Sequence, residues 1–518
     1  MRRESPALTR SQIPRCYDRA MDQEPRPRSL PAPAAAIVAA LAAAALGWAL
    51  VHVCFARGPW YDEFYTQYVT RADRGWLAAL RGSWLVDNHP PLYYALMRAC
   101  AGLGPIERHR LSNVAFAGLA LLGGWSVVRR QPRLGLVAVL LLLVLCADLW
   151  TLWSGGELRS YFLSLCAGAL LALALVARWL DPRPGRSAAL AWWTGVLVAL
   201  NLHVVTTLFA AALIAPFALA ALIARDRARI AALLPAPLVG GGLFAATSAL
   251  QLGAWRHNTQ GFWLQPGLRE GLATLIWSLE RTLEAQPLVL TLALAGGFLL
   301  VGDARRRDPL AGAVALLGAG VALGCATLLG AQALHPLLTE RYLTPTIGPV
   351  ALMLAIGAAR AVESLPPRLA LLALAAALAL STLALARNAR AVAVPLWQGT
   401  AGLVAGVVAR CPATTVRIDP WFDAEALALS PDDNRRVVPW AYAQLAARNH
   451  FALVAPDDRR GSRECPNLVW AAHDPAQRFT DAAVIAHVRG AGFPLTAPVI
   501  TRIGGGLVVS DRPLPGPR

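Results

Sequence analysis

What most constrains this chain is a succession of about eleven apolar runs, each long enough, or nearly so, to cross a bilayer. They lie at roughly 34–55, 111–128, 134–153, 161–180, 188–203, 206–224, 230–250, 286–302, 310–330, 343–360 and 368–386. Over its 518 residues the chain is 56% hydrophobic and 15% charged, whereas a soluble domain is about a quarter charged. Those proportions exclude a soluble enzyme, a disordered chain and a secreted disulfide scaffold as descriptions of the whole. They predict a polytopic α-helical membrane protein. The segment Pro90–Leu103 is apolar but only about 14 residues long, the length of an interfacial or re-entrant helix.

The formal charge of +17 raises the question of a nucleic-acid partner, and the placement of the charges answers it. Every basic side chain other than histidine is an arginine; the chain has no lysine. With the N terminus inside, the inside connections carry Arg129, Arg130 and Arg133, then Arg178, Arg183 and Arg186. Arg225, Arg227 and Arg229 follow, then Arg305, Arg306 and Arg307, and finally Arg360 and Arg368. Short basic loops on one side are the positive-inside signature, so the charge marks topology and no nucleic-acid partner is expected. Residues 1–33 read as a disordered cytoplasmic tail, with Met21 as a second candidate start. Residues 34–386 form the membrane domain.

The tail from 387 to 518 then lies outside. Strand-like runs at Thr415–Ile418, Phe451–Val454, Leu468–Trp470 and Val499–Ile503, with a helical stretch around Trp440–Arg448, predict a small extracytoplasmic α/β domain. Cys411 and Cys465 are its two cysteines. Bridged in an oxidising compartment, they would contribute about 4 kcal/mol in the chain-entropy view.

With this topology the unusual polar residues gather on the outer side. The first outer loop holds Trp60-Tyr61-Asp62-Glu63-Phe64 and Asp87-Asn88-His89-Pro90-Pro91-Leu92-Tyr93-Tyr94; the second holds Glu157-Leu158-Arg159-Ser160-Tyr161. His203 stands at a tight turn, and Glu340, Arg341 and Tyr342 stand in the last outer loop. Acids, histidines and arginines at one membrane boundary suit an amphiphile with an anionic head. Phe262 and Trp277 read instead as members of the interfacial aromatic belt.

These residues resemble a family. Asp-Glu soon after the first helix, His-Pro-Pro-Leu-Tyr-Tyr at 89–94, Glu-Leu-Arg-Ser-Tyr at 157–161 and Glu-Arg-Tyr-Leu-Thr-Pro at 340–345 are similar to motifs of the GT-C membrane glycosyltransferases. Within that superfamily the likeness is to the protein O-mannosyltransferase and lipid A aminoarabinose transferase group (glycosyltransferase family 39-like), over roughly residues 34–386. The resemblance implies transfer of a sugar, with inversion, from a polyprenyl phosphate to an acceptor hydroxyl on a lipid, glycan or protein. The setting would be the outer face of a bacterial inner membrane. Such a reaction needs a carboxylate to take the hydroxyl proton and cations to stabilise the departing phosphate. By analogy Asp62 is the base and Glu63 orients the acceptor or an active-site cation. Arg159 and Arg341 hold the phosphate, with His89, Tyr342 and His203 assisting; Asp148 and Glu340 stand near the same face. There is no Asp-x-Asp motif, no glycine-rich phosphate loop and no zinc-type Cys/His spacing. A metal, if used, would be a labile divalent cation near Asp62. Two other classes compete, a transporter or lipid flippase and an inactive GT-C-like scaffold. Charges at helix ends rather than mid-membrane argue against the first. Intact Asp62, Arg159 and Arg341 argue against the second.

Overall fold

A computed structural model describes residues 32–514 other than 184, 259–266, 306–307, 424–435, 456–457, 459, 473–478, 494, 496 and 504. The tail expected over 1–33 lies almost wholly outside the described residues, as do Phe262, Arg306 and Arg307. Among the described residues nine helices are long and apolar enough to span a membrane. They are Pro33–Ala56, Ile106–Val128, Tyr161–Leu180, Val204–Ile223, Arg227–Arg256, Pro287–Arg305, Pro309–Leu334, Glu340–Ser364 and Pro367–Val392.

The other two apolar runs behave differently. The run 134–153 folds as Pro132–Ala147 and Leu149–Gly155, bent by 70° at their junction. Asp148 causes the break: its backbone is extended and its carboxylate accepts the Trp150 N–H at 2.8 Å, capping a new helix. The run 188–203 folds as Arg186–Asn201, 16 residues, about 24 Å of helix against a core of about 30 Å. Pro90–Leu103 becomes the short helix Leu92–Ala99 and a single 3-10 turn. The last long helix continues to Val392, so position 387 falls inside it.

One crossing positions the site. A Cβ on Gly348 would meet the Ala169 backbone at 2.5 Å, and one on Gly168 would meet the Pro345 carbonyl oxygen at 2.6 Å. Only glycine at both places lets the helices Tyr161–Leu180 and Thr344–Ser364 approach so closely. Their first turns, preceded by Arg159 and by Arg341-Tyr342, are thereby brought side by side.

The C-terminal region forms a sheet of order β1-β2-β4-β3. Its strands are β1 (Thr415–Ile418), β2 (Asn467–Ala471), β3 (Val499–Ile503) and β4 (Gly506–Ser510). β1 and β2 are parallel, with Val416 beside Leu468; β2 and β4 are antiparallel, with Val469 beside Val509; β3 and β4 form a hairpin. The run Phe451–Val454 is not a strand, although Val454 N–H donates to the Val416 carbonyl at 3.0 Å. Strand β4 and the helix Trp397–Arg410 have no counterpart in the sequence reading. Cys411 and Cys465 are disulfide-bonded, with their Cα atoms 5.6 Å apart.

This region does not stand apart from the membrane domain. Trp397, Tyr442 and Trp470 share one buried core with Phe64, Tyr68 and Tyr94. The Phe64 ring lies 5.6 Å from Trp397, and the Tyr68 ring lies 5.5 Å from Trp440. Each fully buried aromatic of this kind contributes about 1.5–3 kcal/mol, so the sheet region is a structural support of the helix that carries Asp62.

Candidate functional site

The site begins with the helix Tyr61–Thr70, whose first turn holds both Asp62 and Glu63. Consecutive helical positions face directions about 100° apart, and the two carboxylates accordingly part company. Glu63 is fully buried. Its Oε1 accepts Arg110 Nε at 2.7 Å and the Leu158 N–H at 2.7 Å, and its Oε2 accepts Arg110 Nη2 at 2.6 Å. This corrects the expectation that Glu63 orients an acceptor or a cation. Its oxygens are closed within the protein and tie the Asp62 turn to the loop of Arg159. Arg110 also donates to the carbonyls of Cys54, Arg57 and Gly58. A second buried pair, Arg57 with Glu157 at 2.7 Å, braces the same loop, as do the Asn113 Nδ2 bonds to Gly155 O and Glu157 O.

Asp62 faces the other way, toward two arginines. Its Oδ2 accepts Arg341 Nη1 at 3.0 Å and lies 3.8 Å from Arg159 Nε. The Arg341 guanidinium lies over the rings of Trp60 (4.9 Å), Tyr342 (5.6 Å) and Tyr161 (5.9 Å). Cation–π contact and exclusion of water strengthen a charge held this way. Arg159 is buried and donates from Nη1 to Thr66 Oγ1 at 3.3 Å. Burial works against its charge, but Asp62 together with Tyr161, Tyr94 and Tyr342 outweighs burial and holds the guanidinium more firmly protonated than usual. Two buried donors here, Arg159 Nε and the Tyr161 hydroxyl, have no hydrogen-bond partner. Orphaned donors are rare in folded proteins and mark a place where a polar ligand completes the set.

The contacts continue from Arg341 to the histidines. Tyr342 lies 4.7 Å from His203, ring to ring, and His203 lies 5.0 Å from His89. His89 Nδ1 is 3.4 Å from Asp87 Oδ1, and Asp87 Oδ2 accepts the Tyr94 hydroxyl. Burial tends to raise the Asp87 carboxyl, yet His89, Tyr94 and Arg159 together hold it below the usual range. One cluster of contacts therefore unites Asp62, His89, Arg159, His203, Arg341 and Tyr342. It also draws in Asp87, Trp60, Tyr161 and Gln251, which received no role from sequence. Gln251, fully buried on the helix Pro235–Asn258, donates its Nε2 to the carbonyls of Asp87 (3.0 Å) and His89 (2.9 Å). Its signal was a lone amide ending an apolar run, since polar residues inside a membrane are seldom idle. Asp148 serves the bent span instead, where its Oδ2 accepts the Thr282 hydroxyl at 3.2 Å, and Glu340 is exposed.

The donor set around Asp62 does not suit a divalent cation. Two guanidiniums already face the carboxylate, Glu63 is closed off, and among the described residues no three His, Cys, Asp or Glu side chains gather as a metal site. It suits an anion. An apolar cavity of about 880 Å³ among the helices is lined by Leu46, Trp125, Leu142, Phe162 and Leu173; it touches Phe162, next to Tyr161, and reaches Arg129. Along the helix Leu111–Val128 it runs from Ala117 to Arg129, about 18 Å.

Solved structures that the chain resembles include one protein in two states. The chain is similar to ArnT from Cupriavidus metallidurans in the apo state, with a TM-score of 0.53 and 14% identity over 93% of this chain and 99% of that one. It is similar to the same protein bound to undecaprenyl phosphate, with a TM-score of 0.52, 14% identity and the same coverage. No family model and no curated protein matches. The chain thus shares the fold of that solved structure, with many apolar helices and a small C-terminal sheet region.

Proposed function

We propose that this chain, having a GT-C fold, is an integral-membrane glycosyltransferase that moves a sugar from a polyprenyl phosphate to an acceptor hydroxyl. The reaction takes place on the outer face of a bacterial inner membrane. The single observation that carries this reading is the cluster of Asp62, Arg159 and Arg341 from three distant segments, in a bundle that also holds an apolar cavity. A carboxylate among cations serves acid–base chemistry on a phosphate-linked substrate, and the cavity suits an isoprenoid chain. The solved structure of ArnT with undecaprenyl phosphate supports a lipid-linked donor. The arginine-rich loops at the other end of the bundle support the orientation.

The chemistry follows from the residues. The acceptor oxygen attacks C1 of the sugar and the C1–O bond to phosphate breaks, its electron pair going to the phosphate. The hydroxyl proton passes to Asp62. Arg159 and Arg341 meet the charge that grows on the phosphate, with the orphaned Arg159 Nε and Tyr161 hydroxyl as added donors. While Arg341 holds Asp62, it weakens the base; as Arg341 turns its charge toward the leaving phosphate, the carboxylate becomes a better proton acceptor. Departure and deprotonation are thereby coupled.

The test uses membranes containing the full chain and a panel of radiolabelled polyprenyl-phosphate sugars, wild type against Asp62→Asn and Arg341→Ala. Label moving into a new lipid, glycan or protein only with the wild type supports the proposal. Movement of intact substrate across the membrane without transfer contradicts it.

A further inference from the structure

The helix Tyr161–Leu180 carries Arg178 near its far end, about 26 Å of helix beyond Tyr161 and outside the cluster described above. Arg178 is only 6% exposed. Its Nη1 donates to the Ala232 carbonyl at 2.8 Å, and its guanidinium lies 5.1 Å from the centre of the Trp192 ring. A carbonyl and an indole hold the side chain in place without neutralising it. Among the described residues no carboxylate pairs with it, and its buried Nε has no acceptor. The buried Trp192 Nε1 is likewise without an acceptor. A guanidinium buried with no counter-charge is expensive, and buried donors without partners are rare. Arg178 also lines a cavity of about 20 Å³, together with Arg130, Gln131 and Asp181. Arg130 is exposed and Gln131 and Asp181 are half-buried, so the cavity meets the surface on their side. Asp181 Oδ1 accepts the Arg183 N–H at 2.9 Å, which fixes that carboxylate on its own turn. The Arg130 guanidinium packs on the same loop, where a Cβ on Gly185 would meet its Nε at 2.9 Å.

We propose that Arg178 and Arg130 form a second anion site, which takes one oxygen of a phosphate group from an anionic phospholipid head or from free phosphate. The cavity has room for about one oxygen-sized group, so the rest of the phosphate stays at the mouth beside Arg130. Two guanidiniums line the site against one carboxylate, which leaves it net positive. Their planar N–H forks match phosphate oxygens, and the inserted oxygen supplies the counter-charge that Arg178 lacks. Arg178 touches the helix Arg186–Asn201 through Trp192 and the helix Arg227–Leu233 through Ala232. An anion that holds Arg178 therefore steadies three helices at once. In the orientation proposed above this end of the bundle lies at the cytoplasmic leaflet, away from donor and acceptor. The inference does not depend on the donor reading.

The test follows heat unfolding of the full chain, freed of lipid in a maltoside detergent, as phosphatidylglycerol, diacylglycerol or inorganic phosphate is added. Phosphatidylglycerol or inorganic phosphate is expected to raise the melting temperature, and whichever acts identifies the source; diacylglycerol, with chains but no phosphate, should not. Arg178→Met should need about tenfold more of the active ligand for the same rise, the worth of one charge-assisted bond. Arg130→Gln, which removes an exposed charge and leaves the interior intact, should need about threefold more. Without ligand, Arg178→Met should melt no lower than wild type, because methionine brings no unpaired charge into the interior. Arg341→Ala, at the other end of the bundle, should respond to the ligand as wild type does. The inference is overturned by a wild-type response in both Arg178→Met and Arg130→Gln, or by no response of the wild type to any of the three additions. It is overturned equally if diacylglycerol acts as strongly as phosphatidylglycerol, or if the response disappears in Arg341→Ala. Arg178→Met melting lower than wild type by the same amount with and without ligand would show a plain staple between helices and would also overturn it.

Discussion

Arg341 Nη1 lies 3.0 Å from Asp62 Oδ2, joining residues 279 positions apart in the sequence. The close glycine crossing at Gly168 and Gly348 makes the juxtaposition possible, and three aromatic rings line the guanidinium. A cation so placed is expected to act on developing charge. Arg341→Ala should reduce the initial rate of sugar transfer in proteoliposomes by about 100- to 1,000-fold, the usual cost of removing one such stabilising donor. Arg341→Lys should recover only part of it, because an ammonium lacks the planar fork that serves Asp62 and phosphate together. A lysine variant as fast as wild type would mean that charge alone is used there.

The pair Glu63–Arg110 carries a different expectation. Both side chains are fully buried, and Arg110 holds three backbone carbonyls besides. Arg110→Met leaves a buried carboxylate unpaired and should cost about 3–5 kcal/mol of stability. In detergent the full-length variant should melt well below wild type, whereas Asp62→Asn should melt close to it. Equal melting of Arg110→Met and wild type would show that the pair contributes no net stability.

Much of this architecture is legible in the sequence, and the failures have physical causes. Apolar runs report on the bilayer, a solvent each helix meets independently, so nine of the eleven runs fold as helices long and apolar enough to span it. The bend at Asp148 is not legible this way, because a single acid in an apolar run reads equally as a helix residue and as a cap. Asp62 and Glu63 are adjacent, and only the positions of Arg110 and Arg341 decide which carboxylate joins the arginine cluster. Asp87 stands two positions before His89 and matches no motif of its own; its meaning depends on where His89 and Tyr94 turn. β4 was missed because Leu507-Val508-Val509 is short and glycine-flanked, and its pairing with β2 is made across a long separation.

The sheet region has its own titrating group. Asp423 is buried, donated to by the Tyr442 hydroxyl at 3.1 Å, and that hydroxyl accepts the Ala472 N–H at 2.8 Å, just past the end of β2. Burial, reinforced by Asp419 and only partly opposed by Tyr442, pushes the carboxyl up from 3.8 to about 7. The native state then keeps a proton that the unfolded chain releases, so stability falls as pH rises from about 4 to about 7 and levels off above. Hydrogen exchange of the β2 amides in the full chain should quicken over that interval, and Asp423→Asn should flatten the dependence. Protection that grows with pH in the same window would contradict the assignment.

The central claim is that Asp62 takes the acceptor proton while the arginines hold the lipid phosphate. The most direct measurement compares wild type and Asp62→Asn, purified whole in nanodiscs, for release of free polyprenyl phosphate from a polyprenyl-phosphate sugar, with binding of the lipid phosphate measured on the same samples. The account predicts a rate lower by about 100- to 10,000-fold in Asp62→Asn, with binding retained. Equal rates in the two proteins would contradict it.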